Sequence, residues 1–254
     1  AQVRVEPGLC GRCAAALKAA LAADVQHVVL GLCSADYPVS EAQAALRKAG
    51  LDPLGLEVVP LGQWSAQGPD GARKLEVAAL LLAAAVAHAR AFPGSGPENV
   101  KGALRPWDEK LSRRALFTLP PLRYEPVPSI DAGRCVGERG CDLCVQACPR
   151  GALSSTDEAP ALDKSRCVSC GLCVAACPQE AVNMPCYSAA QLEAQLGALL
   201  DFSSGAPRRR AIVFACDGNG LALEGLADAK GDGVYWLPVR VPCAGMVSVA
   251  LILR

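Results

Sequence analysis

The sequence predicts an α+β multidomain chain: a small α/β domain over residues 1–92, a linker over 93–128, a cysteine-dense duplicated unit over 129–187, and a helix followed by a short α/β unit over 188–254. Three observations lead there. Strand-type apolar runs alternate with alanine-rich helical runs in the first unit. Eight of the fourteen cysteines then fall between Cys135 and Cys177, in two near-copies. Beyond them, two strand-type runs flank one more helical run.

At 254 residues, with 52% hydrophobic and 4% aromatic content, the chain has room for two or three small domains rich in alanine and leucine. Lys plus Arg and Asp plus Glu both number 25, so the formal net charge is zero. That balance argues against a nucleic-acid partner, which needs a concentrated cationic surface. The basic run Arg208-Arg209-Arg210 reads as a solvated turn before a strand. The longest apolar run, residues 77–87, is too short to cross a bilayer, so no membrane span is expected. No signal-peptide pattern is present, and cysteines in this number favour a reducing, cytoplasmic setting.

In the first domain, residues 2–9 read as a short strand and 11–23 as a helix. Residues 25–30 form an apolar strand running into Gly31-Leu32-Cys33-Ser34. Pro38 opens a helix that Gly50 stops, 56–61 is a second strand, and 72–92 is a long helix. Cys10, Cys13 and Cys33 stand at strand ends, where parallel sheets bind ligands, so a third metal site there competes with a reading of idle or buried thiols. His27 and His88 both read as structural. The proline- and glycine-rich stretch 93–128 predicts extended, solvated chain.

The duplicated unit aligns residue by residue. Ile130-Asp131 through Arg134-Cys135-Val136 matches Leu162-Asp163 through Arg166-Cys167-Val168. Cys141 through Leu153 matches Cys170 through Val182, with three additional residues in the first copy between its first two cysteines. The second copy has the spacing C-x2-C-x2-C-x3-C-P of the bacterial ferredoxin run, in which three thiolates of one copy and the last of the other hold each 4Fe-4S cluster. That scheme places one cluster on Cys135, Cys141, Cys144 and Cys177, and a second on Cys167, Cys170, Cys173 and Cys148. Pro149 and Pro178 fit it, since a proline biases the cysteine before it away from helical geometry and toward the neighbouring site. Zinc would need only four thiolates, and the cysteine density is below that of secreted disulfide scaffolds.

In the last unit, residues 188–202 carry leucines at helical spacing, 211–215 and 233–241 read as strands, and 221–229 as a helix. Gly218-Asn219-Gly220 lacks the third glycine of a dinucleotide loop, so no flavin is expected on this chain. Two strands and one helix are too little to bury their own apolar faces. A cover is therefore expected from a partner subunit, a second copy, or the first domain.

The runs H-V-V-L-G-L-C-S and A-L-R-K-A-G-L-D-P-L-G-L-E-V, then Gln63-Trp64-Ser65 and the helix A-R-K-L-E-V-A-A-L-L-L-A-A-A-V, resemble the amino-terminal domain of the A subunit of heterodisulfide reductase. The resemblance implies an iron-sulfur cluster on four cysteines there, for which Cys10, Cys13 and Cys33 offer three ligands and Cys186 is a remote fourth. The strand leading to Cys216 and the run R-V-P-C-A-G around Cys243 resemble the start of the delta subunit of methyl-viologen-reducing hydrogenase. Together these resemblances imply a non-catalytic iron-sulfur electron-transfer subunit of a soluble redox complex, with hydrogenase-like, reductase-like or flavoprotein subunits as partners. A stand-alone ferredoxin would be smaller and more acidic, and a flavin-dependent reductase subunit would need a dinucleotide-binding segment.

Overall fold

The computed structural model describes residues 25–32, 39–62, 71–103, 122–201, 209–216 and 234–253, with isolated positions before residue 25. The expected strand at 2–9, the helices at 11–23 and 221–229, and Cys10, Cys13 and Cys33 lie wholly or mainly outside them. Strand β1 (Val28–Leu32) pairs in parallel with β2 (Leu56–Pro60), with Val28 opposite Leu56 and Leu32 opposite Pro60. Between them in sequence, helix α1 (Val39–Lys48) turns Ala42 and Leu46 onto Leu30 and Leu32. Glu41 in its first turn and Arg47 and Lys48 in its last complement the helix dipole, and Gly50 at φ 80° ends it. Helix α2 (Gly71–Arg90) follows, close to its expected limits.

The stretch expected to be solvated linker is packed at both ends. Strand β3 (Val100–Ala103) pairs antiparallel with β4 (Arg123–Pro126), and Val127 beyond it is fully buried. Gln43 of α1 holds this ladder from the side, its Nε2 donating to the Tyr124 carbonyl at 3.0 Å and its Oε1 accepting from the Tyr124 amide at 2.9 Å. Asp52 does the same for the start of the stretch, accepting from the Ser95 amide and hydroxyl at 2.7 and 2.6 Å. Composition reports local chain preference, whereas these bonds reach across tens of residues, so the linker expectation missed them.

Helix α5 (Ala189–Leu200), which follows two short helices of the cysteine-rich unit, begins with a capping box between Ser188 and Gln191. Strands β9 (Arg210–Cys216) and β10 (Tyr235–Val241) then pair in parallel, and a short helix α6 (Val249–Leu253) closes the described chain. Leu237, Val239 and Val241 share one core with Met246, Leu251, the α5 residues Leu192 and Leu199, and the α2 residues Val77, Ala78 and Ala84. The cover expected for the tail is thus supplied by helices of the same chain. Among the described residues no helix is long and apolar enough to cross a membrane.

Leu237→Ala should therefore cost about 3 kcal/mol in guanidinium unfolding of the intact protein, in the range for a fully buried leucine. Leu253→Ala, at a residue 80% exposed, should stay within about 0.5 kcal/mol of the unaltered protein. A Leu237→Ala cost as small as that of Leu253→Ala would show that the shared core is not formed.

Candidate metal centre

Each copy of the cysteine motif begins with a short strand, β5 (Ser129–Ile130) or β7 (Ala161–Leu162), and an aspartate turn. The Asp131 carbonyl accepts from the amides of Arg134 and Cys135 at 3.2 and 2.9 Å; the Asp163 carbonyl accepts from Arg166 and Cys167, both at 3.2 Å. The carboxylates brace the same turns. Asp131 Oδ1 accepts from the Gly133 amide at 2.9 Å, and Asp163 Oδ1 accepts from the Ser165 amide and hydroxyl at 2.9 and 2.6 Å. Hydrogen bonds from the Ser165 hydroxyl and amide hold the Asp163 carboxyl below the usual carboxylate range. The matched Ile-Asp and Leu-Asp pairs of the sequence are thus the devices that present Cys135 and Cys167.

The backbone repeats even where residue types differ. Just before the second cysteine, Gly140 and Ser169 are left-handed at φ 84° and 57°; three residues past the last cysteine, Gly151 and Glu180 are left-handed at 54° and 49°. A non-glycine residue in that region is strained, so Ser169 and Glu180 are held there by the surrounding chain. The second cysteine then leads into helix α3 (Leu143–Gln146) or α4 (Leu172–Ala176), which bury Cys144 and Cys173.

The two copies exchange strands. Strand β5 of the first copy pairs with β8 (Val182–Asn183) of the second, setting Ile130 opposite Val182. Strand β7 of the second pairs with β6 (Leu153–Ser154) of the first, setting Leu162 opposite Leu153. The Asp131 amide donates to the Ala181 carbonyl and the Asp163 amide to the Ala152 carbonyl, each at 2.8 Å. In turn the Ala181 amide donates to Cys177 Sγ at 3.3 Å and the Ala152 amide to Cys148 Sγ at 3.2 Å. The last cysteine of each copy is thereby tied to the turn that presents the first cysteine of the other.

The same crossing appears in the electrostatics. Burial raises the Cys144 thiol, and after it the neighbouring charges are Cys177 and Cys135. Burial also raises Cys167, whose thiol neighbours are Cys170 and Cys148. Cys173 is pushed up to about 12 by burial, then by Cys170, Cys167 and Cys144. Burial acts upward on Cys148 as well, but the amides of Ala152, Arg150, Leu153 and Gly151 together outweigh it and lower that thiol. Inward-turned thiols, met by backbone N–H groups, are the donor set that iron-sulfur clusters use. Among the described residues no three His, Cys, Asp or Glu side chains converge on a point that would hold a single metal ion.

Cys186 is not brought to the carboxyl ends of β1 and β2. It is left-handed at φ 68°, and its thiol turns inward to donate to the Leu54 carbonyl at 3.3 Å, just before β2 begins. Leu32, the residue before Cys33, pairs with Pro60 at the other end of that sheet, four residues along or about 13 Å away. His88 Nδ1 lies 2.7 Å from Glu57 Oε1, and His27 packs edge-on to Phe92 at 5.7 Å, which fits the structural reading of both. Cys216 ends β9, and its Sγ accepts from the Ala244 amide at 3.0 Å, so it lies beside the Cys243 turn at the carboxyl ends of β9 and β10. That turn packs on the second copy, where a Cβ on Gly171 would stand 3.0 Å from Met246. The sequence reading missed Lys101, whose Nζ donates to the Cys167 carbonyl; a lone lysine in a proline- and glycine-rich stretch carries no signal of its own.

A family model described as a 4Fe-4S dicluster domain matches residues 134–181, the span of both copies, and supports an iron-sulfur electron-transfer role. Comparison with curated proteins and with solved structures finds no match.

Enclosure of the Cys186 thiol has a direct chemical readout. Burial, with Glu57 and Asp52 adding to it, raises this thiol well above its ordinary value, and only the thiolate is nucleophilic. In native protein at pH 8, iodoacetamide should leave Cys186 unmodified by peptide mass mapping, and denaturant should expose it. Because the folded value lies above the unfolded one, Cys186 contributes stability that is present below the unfolded value and declines as pH rises beyond about 9. Cys186→Ala should remove that part of the decline.

Proposed function

We propose that the chain is an electron-transfer subunit holding two 4Fe-4S clusters, one on Cys135, Cys141, Cys144 and Cys177, the other on Cys167, Cys170, Cys173 and Cys148. The crossed strand pairing, β5 with β8 and β6 with β7, supports this reading, because it ties the last cysteine of each copy to the turn that presents the first cysteine of the other. Clusters ligated only by cysteine supply one-electron chemistry and leave no open position for a substrate. The chain's own part is to present the thiols on aspartate turns, bury Cys144 and Cys173, and aim backbone N–H groups at the sulfurs of Cys148 and Cys177. We place the subunit in a soluble complex of the heterodisulfide-reductase or hydrogenase-linked kind, with electron donor and acceptor on other subunits and no flavin here. The resemblances on either side of the cysteine unit support that setting.

Protein purified without oxygen should contain about eight iron and eight acid-labile sulfide per chain; about one zinc and no sulfide would overturn the proposal. Cys148→Ala should alter the electron paramagnetic resonance signal of one cluster and leave the other intact. If the altered cluster proves to be the one that also responds to Cys141→Ala, the crossed assignment fails.

A further inference from the structure

The two sites are near-copies in ligands, turns and strand pairing, so ligation alone would give them similar potentials. A charged side chain from outside the duplication adds a difference between them. Lys101 stands on β3 directly opposite Glu125 of β4, so the ladder register fixes where it points. Its side chain is only 18% exposed, its ammonium lies 3.5 Å from Glu125 Oε2, and the same ammonium donates to the carbonyl of Cys167. It is therefore held between a buried carboxylate and the backbone of a second-copy ligand. Ser169 adds an amide donor to Cys167 Sγ at 3.4 Å.

Cations beside the first copy are of another kind. Arg134 pairs with Glu180 at 3.6 Å and Arg139 with Glu138 at 3.8 Å, with all four side chains more than half exposed. Water and salt screen such charges strongly, and a withdrawn charge far less. Arg134 also has a sequence counterpart, Arg166, in the second copy, where Gly151 stands in the place of Glu180.

We infer that Lys101 is an electrostatic positioning residue that raises the reduction potential of the cluster on Cys167, Cys170, Cys173 and Cys148 relative to that of its twin. The step is the gain of one electron by an oxidised cluster, with no bond made or broken. Reduction adds one negative charge, and net charge, hydrogen bonds to sulfur and solvent exposure are the terms that set a cluster's potential. The inference rests on the two-cluster reading above, and its test is separable from that reading.

The test is an anaerobic redox titration of the whole protein, followed by electron paramagnetic resonance, with the second-copy cluster identified as the one altered by Cys148→Ala. In Lys101→Gln the reduction equilibrium of that cluster should fall about tenfold, which is about 59 mV for a one-electron couple, while the other midpoint stays unchanged. Lys101→Arg should restore most of the shift. If Lys101→Gln loses iron because Glu125 is left buried without its cation, Lys101→Gln combined with Glu125→Gln takes its place, and a smaller fall of the same sign is expected. Unchanged midpoints at full iron content, or equal shifts in both clusters, would overturn the role of Lys101 and leave the clusters standing. Absence of iron and sulfide from the unaltered protein would instead remove the two-cluster reading itself.

Discussion

Thiolates repel one another, and an apolar surrounding both strengthens the repulsion and strips away the water that would damp it. The central unit accepts that difficulty in a very small space. Cys144 and Cys173 are among its most buried residues, packed with Leu153 and Val182 in one core. Such a core is tolerable in two ways: the thiols keep their protons, or a bound cationic group takes the place of those protons. Metal binding of the second kind releases protons and contributes directly to folding. Much else in the unit follows from keeping both states accessible, notably the four amides that converge on Cys148.

The neighbouring units are organised so that the cysteine unit is clasped rather than appended. Its trailing side passes through the fully buried Met184 to Cys186, whose contact with Leu54 ties it to the segment leading into β2. Helix α5 then leaves it and packs along α2 in the shared core. From the far end of the chain, the turn holding Gly245 and Met246 closes over α4, leaving so little room that Gly171 cannot carry a side chain without displacing Met246. Among the described residues no such cover lies on α3, where Leu143 is 46% exposed although its counterpart Leu172 sits beneath Gly245. A sequence repeat has thus become an inside site and an outside site.

What the sequence made legible was local or periodic. Eight cysteines at fixed spacing, the paired Ile-Asp and Leu-Asp turns, and the leucines of Ala189–Leu200 each carry their meaning within a dozen residues. What stayed hidden depends on partners far along the chain. The β3–β4 ladder pairs residues across a proline-rich stretch whose composition says only that it is not a helix. Gln43 looks like an ordinary polar helix residue until Tyr124 arrives beside it. Glu180 occupies a left-handed position that glycine fills in the other copy, so residue preference there points away from the conformation actually held. The cover of β10 stayed open among three candidates for a related reason, because the apolar content of α2 reads equally well as one buried face or two.

The exchange of strands between copies has a consequence for the order in which the protein is made. Ile130 is synthesised fifty-two residues ahead of Val182, its ladder partner. A nascent chain that has just emitted the first copy holds Cys135, Cys141 and Cys144 with their turn in place, yet the strand that steadies that turn does not exist. Neither half is a folding unit of its own, and contacts of such separation form slowly. Until residue 183 emerges the early thiols lack the strand that steadies their turn, so the same topology that gives the finished unit its symmetry leaves the growing chain with an unfinished ligand set.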